Sequence, residues 1–229
     1  MSIQTIKEGA IFIADAHYPH HGDELLTILQ QLDSNKLQTP QLFLMGDIFD
    51  LLFGYNEYIQ TFSKKAIKLL QKLSYKLEIH YIEGNHDFCL KELFPNIHIY
   101  SRKEQPAQFT LGSQKVYLSH GDRYEVGVGY EIYSRAIRHP ITLRVLKIFE
   151  KKIINTQIER LKQKHICKHL KNFELKIQKI QAHYPKDSLI VEGHFHQGVK
   201  HNNYISLPSL VCQKQIGRMQ GNSILFENI

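Results

Sequence analysis

The sequence has few of the residues that would place the protein in several large classes. Its 229 residues include no tryptophan and only three cysteines, which are far apart and form no C-x-x-C pair. This cysteine usage favours a reducing cytosol over a disulfide-rich secreted setting. The chain also lacks an apolar run of the roughly 20 residues that cross a membrane. The stretch before Asp15 contains one lysine and a short apolar run, which is typical of a first strand and not of a signal peptide.

Positive charge is in excess, and it is concentrated in one segment. The formal net charge is +7, and residues 144–179 hold 11 Lys and Arg against 3 Asp and Glu. A solvated helical face is one explanation. The other is an acidic partner, either nucleic acid or an anionic membrane surface. The length and the apolar fraction of 42% predict a single globular domain over residues 1–229, with an insertion.

The first hundred residues alternate between strand and helix patterns. Continuous apolar runs over residues 10–14, 41–45 and 77–82 predict buried strands. Apolar residues at helical spacing predict helices over residues 23–32 and 62–73. Since strands and helices alternate in this way, we expect a largely parallel sheet with crossover helices.

The second half combines short strands with a long helical block. Short strands are predicted near residues 97–100, 107–111, 115–118, 188–192, 204–207 and 223–226. Residues 126–183 have a helical pattern that His139-Pro140 divides into at least two helices. One apolar stripe alternates steps of four and three residues through Ile166, Leu170, Phe173, Ile177 and Ile180. We therefore predict an α/β core that carries a helical insertion, or lid, over about 126–183.

Five short polar clusters each follow an apolar run. They are Asp15-Ala16-His17, Gly46-Asp47-Ile48-Phe49-Asp50, Gly84-Asn85-His86-Asp87, His120-Gly121-Asp122 and Gly193-His194-Phe195-His196. Open α/β sheets place their sites at the carboxyl ends of the strands, so these side chains are expected to meet. A lone histidine is usually structural, but five such clusters together favour a metal site. Carboxylate, imidazole and amide donors suit Mn²⁺, Fe²⁺ or Zn²⁺.

The motifs D-x-H, G-D-x-x-D, G-N-H-D, H-G and G-H-x-H occur in this order and span residues 15–196. In this the chain resembles the calcineurin-like metallophosphoesterase family. The resemblance implies a four-layer α/β/β/α sandwich that binds two divalent metal ions, with Mn²⁺ the expected metal. It also implies that Asp47 bridges the two ions. By the same pattern the first ion is held by Asp15, His17 and His196, and the second by Asn85, His120 and His194.

Two metal ions about 3.5–4 Å apart can clamp a phosphoryl group and activate water for in-line attack. His86 lies beside the ligand Asn85, so both are predicted to contact substrate, and His86 could protonate the leaving oxygen. Asp87 either orients His86 or caps the backbone of the turn. Arg123 either contacts a phosphate or forms a surface salt bridge. Asp50 and Asp122 are interpreted as groups that fix loops or ligand histidines.

The basic helical insertion is similar to the lid of UDP-2,3-diacylglucosamine pyrophosphatases of lipid A synthesis. That resemblance implies a glycolipid-nucleotide substrate and a peripheral position on the anionic cytoplasmic face of the inner membrane. Apolar lid residues either line a groove for acyl chains or pack the lid onto the core: Ile141, Leu143, Val145, Leu146, Ile148 and Phe149.

The chain departs from those enzymes in having Gly84-Asn85-His86-Asp87 where they have G-N-R-D. Two other hypotheses therefore stay open. One is a soluble phosphodiesterase or phosphatase that acts on nucleotides or another small phosphoester, and the other is a non-catalytic scaffold of the same fold. Nucleic acid is not expected as a partner, because no basic stretch is interleaved with aromatic residues. The remaining histidines, His20 and His21 among them, are interpreted as surface or packing residues.

Overall fold

The computed structural model describes residues 4–124, 127–148 and 150–229, without the side chains of residues 140, 146–148 and 150. Two six-stranded sheets and one two-stranded pair, β4 (Leu52–Phe53) with β6 (Asp87–Phe88), are present in these residues. The first sheet has the order β14-β13-β2-β3-β5-β7, with β2 (Ile11–Ile13), β3 (Gln41–Leu44), β5 (Glu78–Ile82), β7 (His98–Tyr100), β13 (Gln215–Gln220) and β14 (Ser223–Asn228). The second has the order β1-β8-β9-β10-β12-β11, with β1 (Gln4–Thr5), β8 (Ala107–Leu111), β9 (Gln114–Ser119), β10 (Leu189–Glu192), β11 (Val199–His201) and β12 (Tyr204–Ser206).

The centre of the first sheet is parallel, as the alternating pattern predicts. Strands β2, β3, β5 and β7 pair in parallel, and the helices α1 (Glu24–Asp33), α2 (Glu57–Phe62) and α3 (Lys64–Leu73) follow β2 and β3 in the chain. Helix α1 buries Leu25, Ile28, Leu29 and Leu32, the face expected from its spacing. The helix predicted over residues 62–73 is interrupted at Ser63, which separates α2 from α3.

The packing forms four layers, α/β/β/α. Alternate residues of each central strand point to opposite faces, so Phe12 and Phe43 stack at 4.6 Å between the sheets while their neighbours face α1 and α3. The outer face of the second sheet is covered by helix α7 (Phe173–Gln181), which buries Ile177 and Ile180. Each fully buried side chain of this kind contributes roughly 1.5–3 kcal/mol. The predicted fold class is therefore confirmed.

The insertion contains three helices and an irregular return. From here on, the lid means only the first three helices of the insertion: α4 (Val128–Ile137), α5 (Pro140–Ile148) and α6 (Glu150–Gln163). The helical pattern is interrupted at His139-Pro140 as predicted. Residues 164–172, here called the strap, have neither helix nor strand and lead directly into α7. The predicted apolar stripe is therefore wrong at its start, because Ile166 and Leu170 lie in the strap. Tertiary contacts, described below, override their helical spacing.

The described helices include none that is both long and apolar enough to span a bilayer. One short helix, α8 (Leu210–Gln213), follows the second sheet and begins at Ser209, whose side chain accepts a hydrogen bond from the amide of Cys212. The hydroxyl of Ser209 also donates to the carbonyl of Asp15, so α8 is attached to the loop after β2. This loop is where the first predicted cluster lies.

Candidate metal centre

The seven predicted metal ligands lie together at one edge of the two sheets. Each follows the carboxyl end of a strand: Asp15 and His17 follow β2, Asp47 follows β3, Asn85 follows β5, His120 follows β9, and His194 and His196 follow β10. The first sheet supplies four of these residues and the second supplies three. All seven are buried or half-buried.

Five of these residues have backbone conformations that L-amino acids seldom adopt. The φ angles are 49° at Asp15, 46° at His17, 50° at Asp47, 64° at His194 and 56° at His196. A left-handed residue other than glycine costs on the order of 1 kcal/mol or more, so the surrounding structure must hold it in place. Such strain clusters at functional sites, because it directs side chains toward one point.

Two glycines let the loops approach each other. A Cβ on Gly46, whose φ is +84°, would lie 2.3 Å from Nδ1 of His120. A Cβ on Gly84 would lie 2.3 Å from Oδ1 of Asp47. Either methyl group would displace a donor of the site, so these positions require glycine.

The donor atoms form two groups. In the first, Nε2 of His196 lies 3.4 Å from Nε2 of His17 and 3.3 Å from Oδ1 of Asp15. In the second, Nε2 of His120 lies 3.5 Å from Oδ2 of Asp47 and 3.2 Å from Nδ1 of His194. The amide oxygen of Asn85 lies 3.1 Å from the same His120 nitrogen. Within each of the groups Asp15–His17–His196 and Asp47–His120–His194, one donor atom per residue lies within 4.8 Å of the others.

These donors fit two divalent cations. Imidazole nitrogens that face each other at 3.2–3.4 Å need a proton or a cation between them, because their lone pairs repel. The buried Oδ2 of Asp15 has no hydrogen-bond partner among the described residues. A bound cation would satisfy Oδ2 of Asp15. Carboxylate, imidazole and amide donors without thiolate are the set that suits Mn²⁺, Fe²⁺ or Zn²⁺.

The electrostatics of the site favour a positive ion. Burial opposes the charge on Asp47, but His120 and His86 outweigh it and hold the pKa of Asp47 well below its ordinary value. Burial likewise opposes the charge on His120, yet the carboxylate of Asp47 raises the pKa of His120 to about 10. Burial and the neighbouring His120 lower the pKa of His194 to about 4. Asp47 is thus ionised at neutral pH and attracts protons or metal ions to its neighbours.

His86 faces the centre with one ring nitrogen fixed. Its Nδ1 donates a hydrogen bond to the carbonyl oxygen of Asp50 at 2.7 Å, and its Nε2 lies 4.0 Å from Oδ2 of Asp47. The side chain is 13% exposed and therefore reaches the cleft. The carbonyl of Asp50, and not Asp87, orients this ring.

Asp87 has the contacts of the backbone-capping alternative. Its carboxylate accepts hydrogen bonds from the amides of Asp47, Ile48, Phe49 and Gly84 at 2.6–3.1 Å, and from the Tyr81 hydroxyl at 2.6 Å. The interpretation in which Asp87 orients His86 is thereby corrected. Asp87 instead joins the loop of Asp47 to the turn that carries Asn85.

Two histidines that we interpreted as surface or packing residues contact Asp50. Nδ1 of His21 lies 2.6 Å from Oδ1 of Asp50, and Nδ1 of His20 lies 3.2 Å from Oδ2. Oδ1 of Asp50 also lies 3.5 Å from Nδ1 of the predicted ligand His17. Asp50 therefore has the place expected of a group that fixes a ligand histidine. In the sequence, only the proximity of His20 and His21 to the D-x-H motif indicates that they contact this site.

Arg123 lies apart from the predicted ligands. Its side chain is exposed, stacks over Tyr124 at 5.7 Å, and lines a groove of about 740 Å³ together with Arg102 and Arg138. Arg138 is the arginine that contacts the site. Its Nη2 donates to the carbonyl of Gly84 at 2.9 Å, and its guanidinium lies 4.9 Å from the ring of Phe88. Sequence reasoning missed Arg138, because nothing in a lid helix indicates which core loop it meets.

Asp122, two residues after His120, also joins the lid to the core. Its Oδ2 accepts hydrogen bonds from Nε of Arg102 and from the hydroxyl of Tyr130, both at 3.1 Å. Tyr130 belongs to α4, so the first lid helix is attached to the loop that carries a predicted metal ligand. This is the loop-fixing role expected of Asp122.

The metal centre opens on one side into an apolar groove. This cavity of about 430 Å³ begins at Asn85 and His86 and runs beneath the lid. Leu143, Ile153, Ile154 and Leu161 of the lid line it opposite Leu51, Phe53 and Phe88 of the core. Among the predicted acyl contacts, Leu143 lines the groove, whereas Ile141 and Val145 are exposed. The side chains of Leu146 and Ile148 and all of Phe149 lie outside the described residues.

On its other side the centre meets the strap. Lys164, His165, Ile166, Lys168 and Leu170 line a cleft of about 290 Å³ with the predicted ligands. Cys167 forms a disulfide with Cys212, while Cys89 is free. The spacing of the cysteines gave no sign of this pair, because 45 residues separate them in sequence. The expectation of a reducing setting rested on cysteine spacing alone, which does not show that two of the cysteines meet.

A sequence model of the calcineurin-like phosphoesterase family matches residues 10–198. Among curated relatives, proteins named UDP-2,3-diacylglucosamine hydrolase are similar to this chain. The one from Blochmanniella pennsylvanica is 24% identical over 241 residues, covering 94% of each chain, and the one from Histophilus somni is 27% identical over 218 residues, covering 84% of this chain and 86% of its own. The one from Chromohalobacter salexigens is 31% identical over 115 residues, which are 49% of this chain and 46% of that relative.

Solved structures give weaker similarities. Yfce, a phosphoesterase from E. coli, is 14% identical with a TM-score of 0.47, over 96% of this chain and 98% of its own. A dimetal phosphatase from Danio rerio is also 14% identical, with a TM-score of 0.46, over 96% of this chain and 95% of its own.

Proposed function

The chain belongs to the calcineurin-like phosphoesterase family, and we propose that this phosphoester hydrolase cleaves the diphosphate bond of UDP-2,3-diacylglucosamine, releasing UMP and lipid X. The observation that carries the proposal is the apolar groove that opens at Asn85 and His86, beside the metal centre. A nucleotide or a small phosphoester has no acyl chains that would occupy such a groove. A substrate with acyl chains next to a diphosphate would occupy the groove and the metal centre together.

The groove provides a reason for substrate preference. Burial of acyl chains contributes about 0.8 kcal/mol per buried CH₂, so a few methylene groups outweigh a typical hydrogen bond. Its walls come from β4 and β6 of the core and from α4, α5 and α6 of the lid. Because the lid provides one wall, the acyl chains would also stabilise the lid against the core.

The predicted ligands would hold two divalent ions, which supply Lewis-acid polarisation of the phosphoryl group and a nucleophile derived from water. The other roles belong to side chains of this protein. His86, as an imidazolium, would donate a proton from Nε2 to the departing oxygen. Its Nδ1–H would stay bonded to the carbonyl of Asp50 throughout, so the ring keeps its orientation when the proton leaves.

Positive side chains on the strap would bind the phosphates. Lys168 lines the cleft with the predicted ligands, and Lys164 lines both the cleft and the apolar groove. Ammonium groups in these places complement the negative charge of a diphosphate. The strap therefore contributes to binding near the phosphates, whereas the lid helices contribute to binding of the acyl chains.

The surface of the lid suits an anionic membrane. Large apolar side chains are exposed on α4 and α5: Val128 at 79%, Ile132 at 64%, Ile141 at 62%, Tyr133 at 59% and Val145 at 52%. Residues 144–179, which begin within α5 and continue through α6 and the strap, carry an excess of positive charge. We therefore propose that the protein attaches peripherally, at the cytoplasmic face of the inner membrane where its substrate would lie.

The test is a hydrolysis panel with metal-stripped protein reloaded with Mn²⁺, Fe²⁺ or Zn²⁺. The substrates are UDP-2,3-diacylglucosamine in mixed micelles, cyclic nucleotides, bis-p-nitrophenyl phosphate and a phosphoprotein. We expect kcat/KM to be at least about 100-fold higher for the glycolipid than for any soluble substrate. Preference for a soluble ester would replace the proposal with a soluble phosphodiesterase or phosphatase. Hydrolysis of none of them by metal-loaded protein would favour a scaffold.

Groove variants separate the lipid part of the proposal from hydrolysis itself. Ile153→Asn and Leu161→Asn place an amide in the groove at half-buried positions. We expect each to lower kcat/KM for the glycolipid about tenfold and to leave hydrolysis of bis-p-nitrophenyl phosphate unchanged. Leu175→Asn, at a position on α7 that is 58% exposed, is the matched control. Equal losses on both substrates would show that the groove does not select acyl chains.

A further inference from the structure

The strap has little packing of its own. Of residues 164–172, Ile166 is half-buried and the others are exposed. Two hydrogen bonds with Gln197 hold its second half: the amide of Leu170 donates to Oε1 at 3.1 Å, and Nε2 donates to the carbonyl of Lys168 at 3.0 Å. Each such bond contributes only about 1 kcal/mol, and a segment with so few buried contacts opens readily.

The disulfide is the strong attachment of the strap. It joins Cys167 in the middle of the strap to Cys212 in α8, with a Cα–Cα distance of 5.4 Å. On the core side, Sγ of Cys212 lies 3.5 Å from Nδ1 of the predicted ligand His196. The neighbouring Gln213 donates to the carbonyl of His196 at 2.6 Å. The bond therefore fixes the strap to α8, which in turn contacts the loop that carries the predicted ligand His196.

We propose that the Cys167–Cys212 disulfide is a redox-sensitive positioning bond, which holds Lys164 and Lys168 over the metal centre when oxidised and releases them when reduced. This inference rests on the proposed role of the two lysines in binding the phosphates of the substrate. Cys167 is exposed and Cys212 half-buried, so the bond is accessible from solvent. Cys89 lies elsewhere, next to Phe88 of β6, and remains a thiol in both states.

The reductant is a dithiol, such as a thioredoxin-class protein or dithiothreitol. A thiolate of the dithiol attacks one sulfur of the protein disulfide, and its second thiolate then resolves the mixed disulfide. The protein S–S bond breaks, and its two sulfur atoms take up two electrons and two protons to become the thiols of Cys167 and Cys212. The dithiol loses the same two electrons and becomes a cyclic or intramolecular disulfide.

Peptide mapping and limited proteolysis test the bond without any measurement of activity. After incubation with oxidised glutathione, the tryptic peptides that contain Cys167 and Cys212 should be joined, and only Cys89 should react with a thiol reagent in denaturant. Trypsin should cut the native strap after Lys164 or Lys168 about tenfold faster in reduced protein than in oxidised protein. Three reactive thiols after oxidation, or equal cleavage rates in the two states, would overturn the proposal.

Kinetics test the positioning role. In metal-loaded protein, reduction should raise KM for UDP-2,3-diacylglucosamine about tenfold and change kcat less than about twofold, because the lysines bind substrate and transition state alike. Cys167→Ser should show the high KM in both redox states, and Cys89→Ser should respond to reduction like the parent. If KM of the parent protein is the same before and after reduction, the proposed role of the disulfide is overturned. If the proposed substrate is not hydrolysed at all while bis-p-nitrophenyl phosphate is, the proposed function fails, and mapping and proteolysis still decide on the bond.

Discussion

The metal centre and the lid are built in contrasting ways. The residues of the centre are buried or half-buried, stand at strand ends of two sheets, and include five in strained left-handed conformations. The lid helices α4–α6 are amphipathic and expose large apolar residues such as Val128 and Ile132. Their fully buried apolar side chains are few, with Leu143, Ile154 and Ile158 among those described. The predicted metal centre is thus held by buried surroundings, whereas the lid, which we propose selects the substrate, has fewer buried apolar contacts.

The two regions meet at a small number of polar contacts. Arg138, the residue directly after α4, reaches the carbonyl of Gly84, and Tyr130 of α4 reaches Asp122. These contacts join a lid helix to two loops that carry predicted ligands. Substitutions in the centre, at this junction and in the lid should therefore have separable effects.

The largest effect is expected in the centre. Asp47→Ala removes the carboxylate predicted to bridge two cations, so hydrolysis of every substrate should fall by about 10⁴-fold or more, with loss of at least one metal equivalent. Asp33→Ala, at a half-buried carboxylate paired with Lys72 and far from the predicted ligands in sequence, is the control and should keep both activity and metal. Metal analysis that finds two full equivalents in active Asp47→Ala protein would contradict the bridging role.

The next effect separates proton transfer from metal binding. His86→Ala should lower kcat by roughly 10²–10⁴-fold, because the proton donor to the leaving oxygen is lost. Metal content should be unchanged, as measured by elemental analysis. His86→Arg restores the tetrapeptide of the enzymes that the lid resembles and should recover part of the rate. Normal turnover of His86→Ala would make His86 a structural neighbour only.

In the lid, charge should control membrane attachment and not hydrolysis. Arg144, Lys151 and Lys152 are exposed, and each basic residue contributes about 1 kcal/mol near an anionic surface. The triple change to Glu should weaken binding to vesicles that contain anionic lipid by about 100-fold or more. Hydrolysis of bis-p-nitrophenyl phosphate should stay at the parental rate. Undiminished vesicle binding, measured by sedimentation at low salt, would contradict membrane attachment through this face.

At the junction we expect a smaller effect on all substrates. Arg138→Gln breaks the contact with Gly84 and should lower kcat about tenfold, whether or not the substrate has acyl chains, since the turn that carries Asn85 and His86 loses its support. Arg135→Gln removes the same charge from a position of α4 that is 76% exposed. That control should have no effect. A loss restricted to the glycolipid would show that Arg138 positions the lid and not the turn.

The smallest effect on catalysis is expected behind the centre, where only stability should change. Burial lowers the pKa of His80 in β5 to about 4, although Glu78 partly opposes the shift. The unfolded chain protonates this histidine near pH 6.5, so between about pH 6.5 and 4 the unfolded state binds more protons and stability is lost as pH falls. His80→Phe should make this loss shallower by about 1–3 kcal/mol, measured by urea unfolding across that range. An unchanged pH dependence would contradict the buried, neutral histidine.

The sequence predicted those features that depend on local patterns. Continuous apolar runs identify the buried parallel strands, and polar residues directly after them identify side chains that meet, because strand ends of one sheet share an edge. His17 and Asp47 could thus be predicted without knowledge of the packing. The helix face of α1 followed from its spacing in the same way.

The features that sequence reasoning missed depend on contacts between distant parts of the chain. Ile166 and Leu170 have helical spacing, but the disulfide and Gln197 hold their segment across the cleft. The spacing of Cys167 and Cys212 does not reveal that they meet. Arg138 reaches Gly84 over 54 residues, and Asp87 turned toward backbone amides and not toward its neighbour His86. None of these partners can be read from local periodicity.

The division of the ligands between the sheets has a consequence for assembly. Asp15 and His17 belong to the first sheet and their partner His196 to the second, and the same division holds for Asn85 against His120 and His194. Each ion would therefore connect two sheets that otherwise pack against each other through apolar side chains. A free ion concentration of about 100 times its Kd would add roughly 2.7 kcal/mol per site to the docked state. Metal binding would thus favour molecules in which the two sheets have docked correctly over molecules in which they have not.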